Sequence, residues 1–347
     1  MRRYITTGIL GLALSMSPTH QSDACSRVLY QTGSGGYIVG RTMDWMEDTQ
    51  TDLWAYPKGI DKDGGTGKNT IKWTSKYGSV TASLYNAATV DGINEAGLVG
   101  NVLYLAESDY GSDSKTHLPG ISVGAWLQYV LDNYATVDEA VKALKEEPFH
   151  VVAPTLPNGR AATGHVAISD PTGDSAIFEY IDGKLVIHHG PQFKVMTNSP
   201  TYDKQLAITG YWDEIGGQTM LPGTNRAADR FVRVSYYLGA VPKYEDARTA
   251  AAAVFSIIRN ASVPLGITDP EKPNIATTLW RTVADSKERR YYYESTTSPN
   301  IFWVDIAKLN LAEGAKPSRL NLKGNPILAG EVSEKFEEAV PFKWLSH

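Results

Sequence analysis

The chain holds one cysteine, Cys25, in 347 residues, so no internal disulfide can stabilise whatever fold it adopts. Packing must hold it together, and the composition suits that: 42% of residues are hydrophobic and 20% are charged. This is ample for a large core, in one large domain or two ordinary ones. No internal repeat, low-complexity tract or Pro/Ser-rich linker divides residues 25–347, which predicts a single domain there. The net charge of −5, without a basic patch, argues against nucleic acid as a partner. After residue 25 no apolar run approaches the ~20 residues that span a bilayer.

The cysteine also sits at a seam. Residues 1–24 carry Arg2 and Arg3, an apolar run over 5–16, and a polar stretch ending in Ser22-Asp23-Ala24. These are the n-region, h-region and small-residue cleavage site of a secretory signal peptide. Cleavage after Ala24 makes Cys25 the first residue of the exported chain. A thiol and a free α-amine, with ordinary pKa values of about 8.5 and about 7.7, then share one residue. The amine can serve as general base for its own thiol. Two other readings compete: an incidental buried thiol, and an acylated cysteine anchoring a periplasmic binding protein. The anchor normally has Leu three residues upstream, where this chain has Ser22.

The rest of the chain reads as strand-rich with a few clear helices. Strands are expected at 25–30 and 37–42, joined by a glycine-rich turn at 33–36. Others fall at 79–85 and 98–105, with a turn signal at Asp91-Gly92 between them. Helices are expected at 122–133 and 136–147, the second with Thr136 as N-cap and Glu139 as its capping-box partner. Strands follow at 165–169, 175–180 and 184–188, with Asp182-Gly183 as a tight hairpin turn. Helices at 225–238 and 245–260 precede strands at 277–284, 290–296 and 301–305. Long antiparallel stretches with helices inserted in blocks predict an α+β layered domain, compatible with four layers in which helices flank two stacked sheets.

A catalytic Cys25 needs a base, a group that favours thiolate, and donors for an oxyanion. If the first two strands pair as a hairpin, the far end of the second returns to the start of the first. Arg41 and Asp44 then lie beside Cys25. Arginine lowers a neighbouring thiol's pKa, and a carboxylate orients an amine. The plainer alternative is a surface Arg–Asp pair near a turn, which is worth little.

Cys25 at a maturation junction, with Arg41 sixteen and Asp44 nineteen residues on, resembles the choloylglycine hydrolase family of N-terminal nucleophile (Ntn) hydrolases. Further segments carry the resemblance in order: Trp-Thr-Ser-Lys-Tyr-Gly-Ser at 73–79, Asp-Gly-Ile-Asn-Glu-Ala-Gly-Leu at 91–98, Val-Met-Thr-Asn-Ser-Pro at 195–200, Leu-Pro-Gly at 221–223 and Asp-Arg-Phe-Val-Arg at 229–233. The resemblance implies an αββα Ntn-hydrolase domain that cleaves linear N-acyl amides. The family includes penicillin V acylases, conjugated bile salt hydrolases and acyl-homoserine lactone acylases. It further implies Cys25 as nucleophile, Arg41 and Asp44 around it, Asn198 as a side-chain oxyanion donor, and Arg230 as a second arginine near the thiol. Tyr104 falls at the second oxyanion donor, acting through its backbone N–H, with Asn101 as competitor if the register shifts. Tyr at that position resembles the penicillin V acylases.

The pattern at 73–79 and the leader resemble the family's Gram-negative branch, which implies a periplasmic location. Met43, Trp45, Tyr85 and Tyr104 are candidates for an apolar acyl pocket, or else plain core. The resemblance implies neither cofactor nor metal, a small-molecule substrate and a homotetramer. His188-His189 has no metal-ligand spacing, and the two imidazoles are expected on opposite faces of a strand.

Overall fold

The computed structural model describes residues 25–111, 117–216, 219–268, 276–298 and 300–346. The leader and cleavage site expected at 1–24 lie outside the described residues. Strand β1 (Ser26–Gln31) and strand β2 (Tyr37–Asp44) form the expected hairpin, with Ser26 opposite Thr42 and Gln31 opposite Tyr37. Nearly every residue of both strands is buried, as befits strands covered on both faces.

The hairpin is the heart of a seven-stranded sheet ordered Val195–Thr197, β1, β2, Thr278–Asp285, Arg290–Ser295, Ile301–Asp305, Gly330–Glu331. A nine-stranded antiparallel sheet stacks on it. Its order is Lys184–His189, Ser175–Ile181, His165–Ser169, Val99–Leu103, Ala88–Asn94, Ser79–Leu84, Leu53–Tyr56, Ser318–Leu320, Glu337–Glu338. Val80 and Ile93 of the larger sheet share one core with Val283 and Tyr291 of the smaller. Helices α1 (Val123–Asn133) and α2 (Val137–Leu144) cover the nine-stranded sheet over a second core built around Trp126, Leu127 and Phe178. On the other side α4 (Ala227–Ala240) and α5 (Ala247–Asn260) cover the seven-stranded sheet, and α3 (Tyr202–Ile215) packs on α4. The order of layers is therefore helices, sheet, sheet, helices, as expected.

One glycine on each sheet lets a helix approach. A Cβ at Gly40 of β2 would stand 2.5 Å from Val254 Cγ1 and 2.9 Å from Ile258 Cγ2 of α5. A Cβ at Gly100 would overlap Leu127 of α1. Both contacts lie well inside van der Waals range, so each helix settles where the sheet has no side chain.

Local signals behave largely as read. Thr136 caps α2 by accepting from the Glu139 N–H at 3.2 Å, and Glu139 reaches back to the Ala135 N–H at 2.9 Å. Asp182 and Gly183 take positive φ of 51° and 73° in the expected hairpin turn. The turn expected at Asp91-Gly92 is not there, because both residues lie inside the strand Ala88–Asn94. The chain turns instead at Tyr85-Asn86, with φ of 54° and 47° and Ala87 N–H donating to the Leu84 carbonyl at 3.0 Å. Gly92 serves packing there: a Cβ would lie 2.7 Å from Thr81 Cγ2. Helix α3 and the short strand Val195–Thr197 were not anticipated.

Candidate active site

Two antiparallel partners converge on the start of β1. Ser26 pairs with Thr42 of β2 on one side and with Thr197 on the other. Cys25, one residue earlier, therefore faces Met43-Asp44 on one flank and Asn198 on the other. The Asp44 N–H points at Cys25 Sγ at 3.5 Å, and the Cys25 nitrogen donates to Asn198 Oδ1. Cys25 is buried, with 2% exposure.

Charge gathers around this thiol from β2 and from α4. Arg41 Nη2 stands 4.0 Å from Cys25 Sγ and donates to the Val102 carbonyl at 3.1 Å. Arg230, from α4, donates through Nη1 to the Cys25 carbonyl at 2.6 Å and to Ser26 Oγ at 2.5 Å, and through Nη2 to Asn198 Oδ1 at 3.2 Å. The motif at 229–233 thus delivers Arg230 to the thiol. Arg233 is spent on the Pro222 and Thr224 carbonyls, and Arg226 stays exposed.

The ion pairing differs from the Arg41–Asp44 pair considered above. Arg41 Nη1 lies 3.5 Å from Asp91, both nearly inaccessible, and its guanidinium stacks 4.5 Å over the Trp280 ring. Asp44 faces Arg230 at 3.8 Å and accepts from Thr278 Oγ1 at 2.6 Å and Thr42 Oγ1 at 3.3 Å. Burial pushes the Asp44 carboxyl up to about 6 against the pull of Arg230 and its hydroxyl donors. Burial likewise pushes the Cys25 thiol up, with Arg41 and Arg230 opposing and Asp44 adding to the rise. Arg41 acts on the thiol in the expected direction, but desolvation outweighs it.

Asp91, expected as a turn residue and as the start of the 91–98 segment with no role of its own, organises the inner wall. Besides Arg41 it accepts from Tyr291 Oη at 2.5 Å, Asn101 Nδ2 at 2.7 Å and Thr282 Oγ1 at 3.2 Å. Asn101 is therefore committed to Asp91. Tyr104 meets Asn198: its carbonyl accepts from Asn198 Nδ2 at 2.7 Å. Only a buried acidic residue inside an apolar run hinted at Asp91, and its Asp-Gly context masked that hint.

A narrow apolar cleft of about 60 Å³ opens on the thiol. Met43, Trp45 and Tyr104 line it, joined by Val90, Val102, Leu156 and Leu345. Tyr85 does not line it. Its ring stands behind Trp45 and its hydroxyl accepts from Trp45 Nε1 at 2.8 Å while donating to Glu47. Trp45 meets Tyr104 edge to face at 6.0 Å. A larger cavity of about 860 Å³ lies across Trp280, walled by Thr51, Tyr293 and Arg319, and Cys25 takes no part in it. His188 contacts Glu179 and His189 contacts Asp174, so both imidazoles face carboxylates of the fold.

Two stacked sheets between helical layers, with a buried thiol opening a central strand, define the architecture of the Ntn hydrolases. The sequence profile of the linear amide C–N hydrolases, choloylglycine hydrolase family, matches residues 25–325, and the chain belongs to this family. It is a linear-amide hydrolase. A penicillin V acylase from Pectobacterium atrosepticum is 50% identical over 359 aligned positions, covering 96% of this chain and 94% of that one. The structure of a penicillin V acylase from Agrobacterium tumefaciens superposes with a TM-score of 0.87 at 52% identity, covering 93% of this chain and 100% of the other. A bile salt hydrolase/transferase from Clostridium perfringens is 26% identical over 315 positions, covering 83% of this chain and 94% of that one.

Proposed function

We propose that the chain is an exported penicillin V acylase, activated when cleavage after Ala24 frees the Cys25 α-amine. One observation carries the substrate class: identity of 50% over 96% of the chain to an acylase of that name, against 26% to the bile salt enzyme. The apolar lining of the cleft suits an aryloxyacetyl group with the scissile amide held at the thiol.

The chemistry follows from the groups around Cys25. The α-amine takes the thiol proton, and Sγ attacks the acyl carbonyl carbon. The amide nitrogen of Asn198 has two N–H bonds. One is committed to the Tyr104 carbonyl, which leaves the other for the oxyanion beside the Tyr104 N–H. Collapse expels the amine, which takes its proton from the α-ammonium, and leaves a thioester. Water then attacks, the α-amine removes its proton, and the carboxylic acid departs from a restored thiol. Asp44 steadies the α-ammonium, Arg41 favours thiolate, and Arg230 fixes Asn198 and the Cys25 peptide.

Location and assembly belong to the same reading. The leader supports a periplasmic enzyme. Among the described residues no helix is long and apolar enough to cross a membrane. Helix α3 buries only Tyr202 and Gln205 and exposes Leu206, Tyr211 and Ile215, which supports a subunit contact in the homotetramer the family resemblance implies.

Parallel kinetics on penicillin V, glycodeoxycholate and an acyl-homoserine lactone test the substrate. The highest kcat/KM is expected on penicillin V, and a preference for either of the others overturns the assignment.

A further inference from the structure

The cleft beside Cys25 has a wall that the hairpin and the sheets do not supply. Leu345 lines it, although that residue is twenty positions beyond the end of the family match at 325. A strap over 342–346 carries it there. The Leu345 N–H donates to the Ala87 carbonyl at 2.8 Å, and the Leu345 carbonyl accepts from Ser122 Oγ at 2.7 Å. Ser122 is also the N-cap of α1, accepting from the Gly124 N–H at 3.3 Å, so one hydroxyl ties the strap to the helix end that lines the cleft. Behind Leu345, Trp344 fits tightly over Gly65, where a Cβ would lie 2.7 Å from Trp344 Cβ, and Phe342 meets Trp54 and Trp344 edge to face at 5.4 and 5.2 Å.

The size of the cleft makes this wall consequential. Its volume of about 60 Å³ holds roughly two waters, whereas a benzene-sized ligand occupies a cavity of about 150 Å³. An aryl acyl group therefore needs one wall to give way. The inner walls are mostly β-strands and the end of α1, locked by sheet hydrogen bonds and core packing. The segment 153–164 adds Leu156 and Ala162, both buried and held by Leu156 N–H to the Arg160 carbonyl at 2.7 Å and Ala162 N–H to the Pro154 carbonyl at 2.8 Å. Leu345 is half-buried on a segment tied beside the cleft by two hydrogen bonds.

We propose that Leu345 is the outer wall of the acyl pocket and sets the largest acyl group the enzyme accepts. The strap is thus a specificity element that lies beyond residues 25–325, the part matched by the family profile. This rests on the acylase reading above, since the cleft is taken as the acyl site.

The test is an acyl-size profile. Wild type, Leu345→Ala and Leu345→Trp are assayed on N-acetyl, N-hexanoyl, phenoxyacetyl and N-decanoyl amides of one amine. Ratios of kcat/KM between acyl groups are independent of the active enzyme fraction. Leu345→Ala should raise the decanoyl-to-acetyl ratio by about tenfold or more, the scale on which apolar pockets discriminate by size. Leu345→Trp should lower it by a similar factor while acetyl turnover persists. Opposite shifts from one position are not what general destabilisation produces. Calorimetric binding of decanoate against acetate to Cys25→Ala, with and without each substitution at 345, reads the same wall without turnover. A wild type that cleaves alkanoyl amides but not penicillin V overturns the proposed substrate and leaves the size test intact. Unchanged ratios and unchanged binding in both Leu345 variants overturn the strap proposal.

Discussion

The thiol at Cys25 sits in a balance of buried charges, and each residue in that balance has a measurable signature. Asp44 is the clearest. Burial is the dominant cause of its rise to about 6, so the charged form is the costly one in the folded state. Its protonated form favours folding: that contribution is complete below about pH 4, the unfolded value, and is lost as pH rises through about 6. Catalysis runs the other way, because the proposed role is to hold the α-ammonium as a carboxylate. On the acid side kcat/KM should therefore show, beyond the step that protonates the α-amine base, a second fall at or below about pH 6, since the α-ammonium draws the carboxyl down. Asp44→Asn should lose that second fall together with most of the rate. An acid limb unchanged in Asp44→Asn would remove Asp44 from the mechanism. Cys25→Ala should reduce amide hydrolysis to background with the melting temperature close to wild type, and residual turnover would identify another nucleophile. Asp91→Asn leaves Arg41 buried without its carboxylate, a loss on the order of 3–5 kcal/mol that thermal or urea unfolding reads directly.

At the scale of elements, legibility followed chain-local chemistry. The β1–β2 hairpin could be read because its turn residues, alternation and length agree, and with it came the placement of Arg41 and Asp44 beside Cys25. The long helices α1 and α5 and the cap of α2 were legible for the same reason. Asp91-Gly92 failed because its composition favours a turn, while the strand's partners demand a glycine beside Thr81 and a carboxylate beside Arg41. Helix α3 escaped because it has no apolar stripe to recognise: of its fourteen residues only Tyr202 and Gln205 are buried. Asn198 and Arg230 were assigned by resemblance alone, since their meeting with Cys25 depends on strand order and helix docking far along the chain. The packing of α5 on β2 makes its own prediction. Gly40→Val forces a side chain against Val254 and Ile258, and should cost about 1–3 kcal/mol in unfolding free energy. Val254→Ala in the Gly40→Val background should recover part of that loss, which separates steric conflict from a change in strand propensity.

Across the whole molecule, the site depends on the meeting of parts that fold from distant stretches of sequence. The thiol comes from the first strand of one sheet, Asn198 from that sheet's edge strand and Arg230 from α4, while Tyr104 follows a strand of the other sheet. Nothing in that convergence requires the chain to begin at Cys25. The Cys25 nitrogen can occupy its place beside Asn198 as a peptide N–H, and the core on both sides of the hairpin is complete without a free terminus. The proposed chemistry does require it. A peptide nitrogen has its lone pair committed to the amide and cannot take up the thiol proton, and no α-ammonium stands beside the thiol to offset the burial that raises its pKa. A form carrying one extra residue before Cys25 should therefore melt like the mature enzyme yet lose roughly 10²–10⁴-fold in kcat, the usual worth of a positioned general base. Its thiol should also react with iodoacetamide at a higher pH than that of the mature form. Releasing the extra residue with an aminopeptidase should restore both the rate and the reactivity without refolding. Full activity in the blocked form would mean that another group takes the proton, and the link between export and activation would fall with it.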